Sequence, residues 1–159
     1  MAEANGVGKL ILAIDNLMST PCVSYLIRKL KVFGGIILTA SHNPGGINGD
    51  FGVKYNCDNG GPAPASVTDA IFAESKALTA LKINTSAKFD VDVSKASDHK
   101  FGNLEIQVVD AAAAYSEMFS TIFDMPAIKS FVHRKGGFKM VYDSMHGLVS
   151  MCFFSSKEV

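Results

Sequence analysis

The residues with the clearest chemical potential lie in one polar, glycine-rich loop. Ser41 and His42 are adjacent, and Pro44, Gly45 and Gly46 follow them in the string TASHNPGG. Glycines can adopt positive φ and bring bare backbone amides close to an anion, which is the geometry of a phosphate-holding nest. The serine stands at the mouth of that arrangement. On composition alone, an ordinary solvated turn remains an alternative, because turns favour the same residue types.

The loop follows an apolar strand pattern. Ile36, Ile37 and Leu38 form a short continuous run that is typical of a strand buried on both faces. Open α/β sheets place their chemistry in the loops at the carboxyl ends of such strands. After the loop, residues 53–55 indicate a short return strand that contains Lys54.

Strand and helix patterns alternate along the rest of the chain, which favours an α/β fold. Residues 10–14, 89–93, 104–109 and 138–142 have strand character. Thr20 is predicted to cap a helix that has Pro21 at its first position, and Pro64 is predicted to open a second helix. Asp110 is predicted to cap a third helix, and a short one runs from Pro126 to about residue 134.

Composition excludes several classes of function. The chain has 159 residues, 48% of them hydrophobic, and a formal net charge of +0. This balance favours a globular domain and gives no reason to expect a nucleic acid or an anionic membrane as partner. A signal-like segment and a run of about 20 apolar residues are both absent from the sequence, so the cytoplasm is the expected location. Cys22, Cys57 and Cys152 form no CxxC pair, which argues against a disulfide framework or a zinc site.

The strings TASHNPGG and NGDFGVKYN, in unbroken order, resemble the active-site loop of the α-phosphoglucomutases in the α-D-phosphohexomutase family. The similarity runs from about residue 7 to residue 149, with a second patch at residues 143–147 (DSMHG). The resemblance implies a three-layer α/β/α fold with a mixed sheet, of the family's first-domain type but incomplete. Residues 1–135 would form most of that domain without its opening part. Residues 136–159 would begin a second domain with a divergent end, SMCFFSSKEV.

In that family a phosphoserine interconverts glucose 1-phosphate and glucose 6-phosphate through glucose 1,6-bisphosphate. The resemblance implies that Ser41 carries the phosphoryl group and that a hexose phosphate is the substrate. His42 would hydrogen-bond the phosphate or the reacting hydroxyl, or would simply order the loop. Lys54 would act as general acid or base or offset phosphate charge, with a solvated lysine as the alternative. Oligomeric state is left open.

The resemblance also implies Mg²⁺, with a phosphoryl oxygen on Ser41 as one ligand. The remaining ligands would come from a D-G-D-G-D-R loop, which does not occur in this sequence. The substrate-contacting strings T-S-G-L-R-K and G-E-E-S do not occur either. A second hypothesis is therefore a truncated, catalytically silent chain that acts at most as a phosphate-binding or regulatory module.

Overall fold

The computed structural model describes residues 1–85 and 90–137, together with residues 139, 141 and 143. Strands and helices are interspersed along the chain, which confirms the α/β prediction. The strands are β1 (Lys9–Ala13), β2 (Gly34–Thr39), β3 (Gly52–Cys57), β4 (Ser97–Phe101) and β5 (Leu104–Val109). The helices are α1 (Thr20–Leu30), α2 (Ala65–Ala77), α3 (Ala111–Ile122) and α4 (Met125–Val132), with short 3₁₀ turns at Glu3–Asn5 and Ile14–Asn16.

The strands form a mixed three-stranded sheet and a two-stranded hairpin. In the first sheet, β1 pairs in parallel with β5, and β4 pairs antiparallel with the other edge of β5. In the hairpin, β2 pairs antiparallel with β3 from Gly34 opposite Cys57 to Thr39 opposite Gly52. The presence of both parallel and antiparallel pairs confirms the predicted mixed character.

Helix α1 holds the sheet and the hairpin together. Cys22 and Leu26 form a buried cluster with Ala13 of β1 and Ala111 of α3. The Cys22 thiol also lies 3.3 Å from the Ala111 carbonyl oxygen, to which it donates. On an adjacent stripe, Val23 and Ile27 lie against Gly35 of β2. The base of the hairpin is therefore fixed to the same helix that packs against Ala13 at the end of β1.

The predicted burial of β2 on both faces is wrong. Ile37 faces α1 and is 6% exposed, but Ile36 and Leu38 on the other face are 73% and 64% exposed. A continuous apolar run shows that a strand can be buried on both faces. It does not show which elements are present to cover those faces, and only one face of β2 is covered in the part of the chain described here.

Other boundaries differ by small amounts. The cap of α1 is Ser19 rather than Thr20, because the Ser19 hydroxyl accepts the Cys22 amide at 3.4 Å. Asp110 caps α3 as predicted. Asp124 caps α4, which therefore begins one residue earlier than predicted and ends at Val132.

The predicted strand at residues 89–93 is not observed at residues 90–93, and residue 89 lies outside the described residues. Strand β4, which was not predicted, follows instead. Its sequence SDHKF is too polar to show the alternation of a half-buried strand. Beyond residue 137, only residues 139, 141 and 143 are described. Most of the predicted strand at 138–142 and most of the patch at 143–147 therefore lie outside the described residues. The division of the chain at residue 136 therefore stays a prediction.

Candidate functional site

The loop between β2 and β3 begins immediately after Thr39 and carries Ser41 at the carboxyl end of β2. Ser41 has a φ of 61°, a left-handed conformation that costs a residue with a Cβ about 1–2 kcal/mol. Its backbone amide donates a hydrogen bond of 2.9 Å to the Thr39 hydroxyl. This bond offsets part of the backbone cost and holds the exposed serine in one orientation.

Ser41 and His42 are brought together. The Ser41 Oγ lies 3.3 Å from the His42 Nδ1, and both residues are exposed to solvent. When Nδ1 is the unprotonated nitrogen, it can accept the serine proton, and when it is protonated, it can donate to an oxygen on the serine. The pair can therefore move a proton at the serine oxygen or hydrogen-bond a group attached to it.

Two hydrogen bonds to Asp50, one with Asn43 and one with Pro44, close the rest of the loop. The Asn43 side-chain amide donates to the Asp50 carboxylate at 2.6 Å, and the Asp50 amide donates to the Pro44 carbonyl at 2.9 Å. Gly49 packs so tightly that a Cβ there would overlap the Pro44 carbonyl oxygen. Gly46 has a φ of 119°, a value that side chains rarely permit. The glycine spacing is thus required by the backbone path of the loop.

Lys54 lies on β3 rather than in the loop. It pairs with Ile37, two positions inside the strand end that Gly52 and Thr39 mark. At about 3.3 Å per residue, its Cα is about 7 Å back along the strand from Gly52. Within the described residues, Lys54 makes no hydrogen bond or ion pair with Ser41 or His42. The structure therefore shows no polar contact between Lys54 and the other two predicted residues.

Asn56 is a positioning residue that the sequence reading missed. It is the one buried polar residue among those described, at 3% exposure. Its side-chain amide donates to the Ser24 hydroxyl of α1 at 3.1 Å and to the Gly60 carbonyl at 3.0 Å. These bonds fix β3 to the helix. Nothing in the sequence distinguished Asn56 from the exposed turn residue Asn59 nearby.

The described residues do not complete a metal site. No group of three or more His, Cys, Asp or Glu side chains within them is placed to hold a metal ion. Asp50, the carboxylate in the same loop as the serine, is already engaged by Asn43. The ligand set that the resemblance implies for Mg²⁺ is therefore not present in this part of the chain.

A surface cavity of about 560 Å³ lies elsewhere, along α2. Its lining includes Val67, Ile71 and Leu78 and none of the loop residues. It lacks the cations and clustered amides that would bind a sugar phosphate. We therefore place the candidate site at the loop, where the reactive side chains are exposed.

Comparisons with known proteins show which family this chain resembles. The family model described as phosphoglucomutase/phosphomannomutase, alpha/beta/alpha domain I, matches residues 1–82. The chain is 48% identical to a phosphoglucomutase of Rhizobium radiobacter over 145 residues, which is 91% of this chain and 26% of the relative. It is 44% identical to phosphoglucomutase-1 of Homo sapiens over 153 residues, 94% of this chain and 27% of the relative.

Among solved structures, the open form of pp63/parafusin, a phosphoglucomutase from Paramecium, superposes with a TM-score of 0.85 at 32% identity. The match covers 95% of this chain and 29% of that chain. This chain thus spans about a quarter of the length of the curated relatives that it matches. No helix in the described part of the chain has the length and apolarity needed to cross a membrane.

Proposed function

We propose, because this chain belongs to the phosphoglucomutase/phosphomannomutase family, that its Ser41 is a phosphoryl carrier for hexose phosphates. The reaction is the interconversion of glucose 1-phosphate and glucose 6-phosphate through glucose 1,6-bisphosphate. Relatives named phosphoglucomutase support the assignment. The whole reaction belongs to chains about four times as long, so the claim for these 159 residues is restricted to the carrier step.

The observation that carries the proposal is the conformation of Ser41. Ser41 is exposed at the end of a strand, and its Oγ lies 3.3 Å from an imidazole nitrogen. The hydrogen bond to the Thr39 hydroxyl holds it at a φ of 61°. The serine is therefore pre-oriented at a local energetic cost. Such cost is characteristic of functional sites. Asp15, Asn16 and Lys31 also have left-handed φ values, so the conformation supports the proposal through its combination with the neighbouring imidazole.

The transfer proceeds in two half-reactions. The phosphoserine donates its phosphoryl group to the free hydroxyl of a glucose monophosphate, and that hydroxyl loses its proton to a base. Glucose 1,6-bisphosphate then reorients, and the Ser41 oxygen accepts the other phosphoryl group as the bond from that phosphorus to the sugar oxygen breaks and the sugar oxygen takes up a proton. We assign His42 to hydrogen-bond the serine oxygen or the transferring group, because it lies beside that oxygen. We assign Lys54 either to transfer the proton of the sugar hydroxyl or to offset the negative charge of the phosphate. Both roles require its flexible side chain to reach towards the loop.

The metal that the resemblance implies is not fitted by the described residues. A phosphoryl oxygen on Ser41 would be a single ligand, and Mg²⁺ requires nearly octahedral coordination by oxygens. No step of the transfer is therefore assigned to a metal.

The cytoplasmic location stays a prediction.

The lack of a metal-ligand cluster in the described residues favours a second proposal for this chain alone, namely that it does not turn over. With glucose 1-phosphate, glucose 1,6-bisphosphate and Mg²⁺, a coupled assay for glucose 6-phosphate is expected to give no rate above the blank. A robust rate that disappears in Ser41→Ala would refute catalytic silence while supporting the role of the serine.

The carrier proposal is tested in a chimera. In this chimera, the aligned region of the Homo sapiens relative is replaced by this chain. The chimera is expected to show mutase activity, and Ser41→Ala is expected to lower kcat/KM by at least about a thousandfold, as loss of a nucleophile does. Ser66→Ala, at an exposed serine on α2, is the matched control and should have no effect. Comparable activity in both variants would refute the proposal.

A further inference from the structure

Ser41 and His42 are the two central residues of a tight turn. The turn runs from Ala40 to Asn43, and the Asn43 amide closes it by donating a hydrogen bond of 3.1 Å to the Ala40 carbonyl. Ser41 has a φ of 61°, whereas His42 is not among the residues with positive φ. A turn with positive φ at its first central position alone is of type II′, which normally has glycine there. A serine keeps this conformation only when its surroundings impose it.

Asn43 joins this turn to the far end of the loop. Its backbone amide closes the turn, and its side-chain amide donates to the Asp50 carboxylate at 2.6 Å. A hydrogen bond to an ionised acceptor is about twice as strong as one between neutral groups. Asp50 is itself anchored, because its backbone amide donates to the Pro44 carbonyl at 2.9 Å and it forms a β-bridge with Gly45. Movement of Asn43 away from the turn therefore requires this charged hydrogen bond to break.

The Asp50 carboxylate belongs to no ion pair in the described part of the chain. The salt bridges found there join Lys29 to Glu117 and Lys95 to Asp92. The carboxylate is therefore available to the Asn43 side chain without competition from a cation.

The turn is held at both of its ends. Before it, the Thr39 hydroxyl accepts the Ser41 amide at 2.9 Å, and after it, Asn43 is bound to Asp50. Because Ser41 and His42 are adjacent within the turn, its shape sets the distance of 3.3 Å between the serine Oγ and the imidazole Nδ1. Opening the turn from either end would release that pair.

We propose that Asp50 is a positioning residue for Ser41. By holding the Asn43 side chain, it keeps the turn from Ala40 to Asn43 closed and keeps the serine oxygen beside the His42 imidazole. The use of this geometry in phosphoryl transfer rests on the proposed function, whereas the effect of Asp50 on the turn does not. Asp50 acts through Asn43 and is not assigned to the reacting atoms.

The first test measures amide exchange by NMR in the whole chain and its variants. Asp50→Asn keeps the shape of the side chain and removes its charge, so it should lower the protection of the amides of residues 41 and 43 about fivefold. Asn43→Asp opposes two carboxylates, which repel, and both amides should then exchange about as fast as in an unstructured peptide. The double variant with both changes again pairs an amide with a carboxylate and should recover most of the protection. Asp58→Asn, the same change at an exposed aspartate after β3, is the matched control and should have no effect.

The Ser41 amide distinguishes positioning from a merely local role. It donates to Thr39 and to neither of the altered residues, so a bond that only closes the rest of the loop would leave its exchange unchanged. Unchanged protection of this amide in Asn43→Asp, or no recovery in the double variant, would overturn the proposal.

The second test measures kcat and KM in the chimera. Asn43→Asp should lower kcat at least about tenfold, because the closed turn no longer predominates, and the double variant should restore most of it. KM should change less than about twofold, because no proposed substrate contact is removed. An unchanged kcat in Asn43→Asp, with Ser41 protection lost, would overturn the assignment of Asp50 to the reaction. Loss and recovery of Ser41 protection in a chimera whose activity is indifferent to Ser41→Ala would contradict the carrier role and support the effect of Asp50 on the turn.

Discussion

The Thr39 hydroxyl is the contact that keeps Ser41 in its left-handed conformation, and Thr39→Val removes it with little change in shape. The lost hydrogen bond has a length of 2.9 Å and contributes about 1 kcal/mol, within a usual range of about 0.5–1.5 kcal/mol. The left-handed backbone costs about 1–2 kcal/mol, so the two terms are comparable. Removing the bond should lower the population ratio of the observed conformer to its alternatives about fivefold, since about 1.4 kcal/mol corresponds to a factor of ten.

Hydrogen exchange of the Ser41 amide in the isolated chain measures this change directly. The amide should exchange about fivefold faster in Thr39→Val, while Thr39→Ser, which keeps the hydroxyl, should exchange at the rate of the unmodified chain. The thermal midpoint should barely change, because the loop is exposed and contributes little to the core. In the chimera, kcat/KM should fall by much less than fivefold, because a fivefold rise in exchange means that the competent conformation still predominates in the variant. An unchanged exchange rate in Thr39→Val would refute the proposed role of the hydroxyl.

Three further changes test other parts of the structure. Gly49→Ala should destabilise the loop by about 1–3 kcal/mol, because its Cβ overlaps a backbone carbonyl, whereas Gly8→Ala has open space and should be neutral in urea denaturation. Asn56→Ala leaves a buried carbonyl without its donor and should lower the free energy of unfolding by about 1–3 kcal/mol. The hydrogen bond with Glu117 raises the pKa of Lys29, so the stabilisation is fully present below the ordinary lysine pKa of about 10.4 and is lost as the pH rises through the raised value. The difference in thermal midpoint between the unmodified chain and Glu117→Gln should therefore shrink above that pH, and a constant difference would contradict the contact.

The sequence allowed the order of elements and the position of the loop to be predicted, because both depend on local signals. The apolar run ending at Leu38 and the prolines near the starts of α1 and α4 are signals that depend only on neighbouring residues. Gly46 was recognisable because few other residues allow its positive φ, whereas Gly49 is required because it lies against the Pro44 carbonyl.

The parts that could not be predicted depend on partners distant in the sequence. Asn56 matters because Ser24 and Gly60 surround it, and a single buried amide has no distinguishing local pattern. The outer face of β2 is exposed because no described element covers it, a fact that no property of Ile36 or Leu38 reveals. Strand β4 forms because β5 offers it an edge, which overrides its weak intrinsic preference.

The central claim is that the Ser41 oxygen carries a phosphoryl group during the reaction. Rapid quenching of the chimera with glucose 1,6-bisphosphate, followed by proteolysis and mass spectrometry of the peptide that contains Ser41, measures this directly. We expect one added phosphoryl group on that residue, formed as fast as turnover and removed when glucose 1-phosphate is added. An active chimera whose Ser41 is never phosphorylated, or whose phosphate is not discharged by the sugar, would contradict the account.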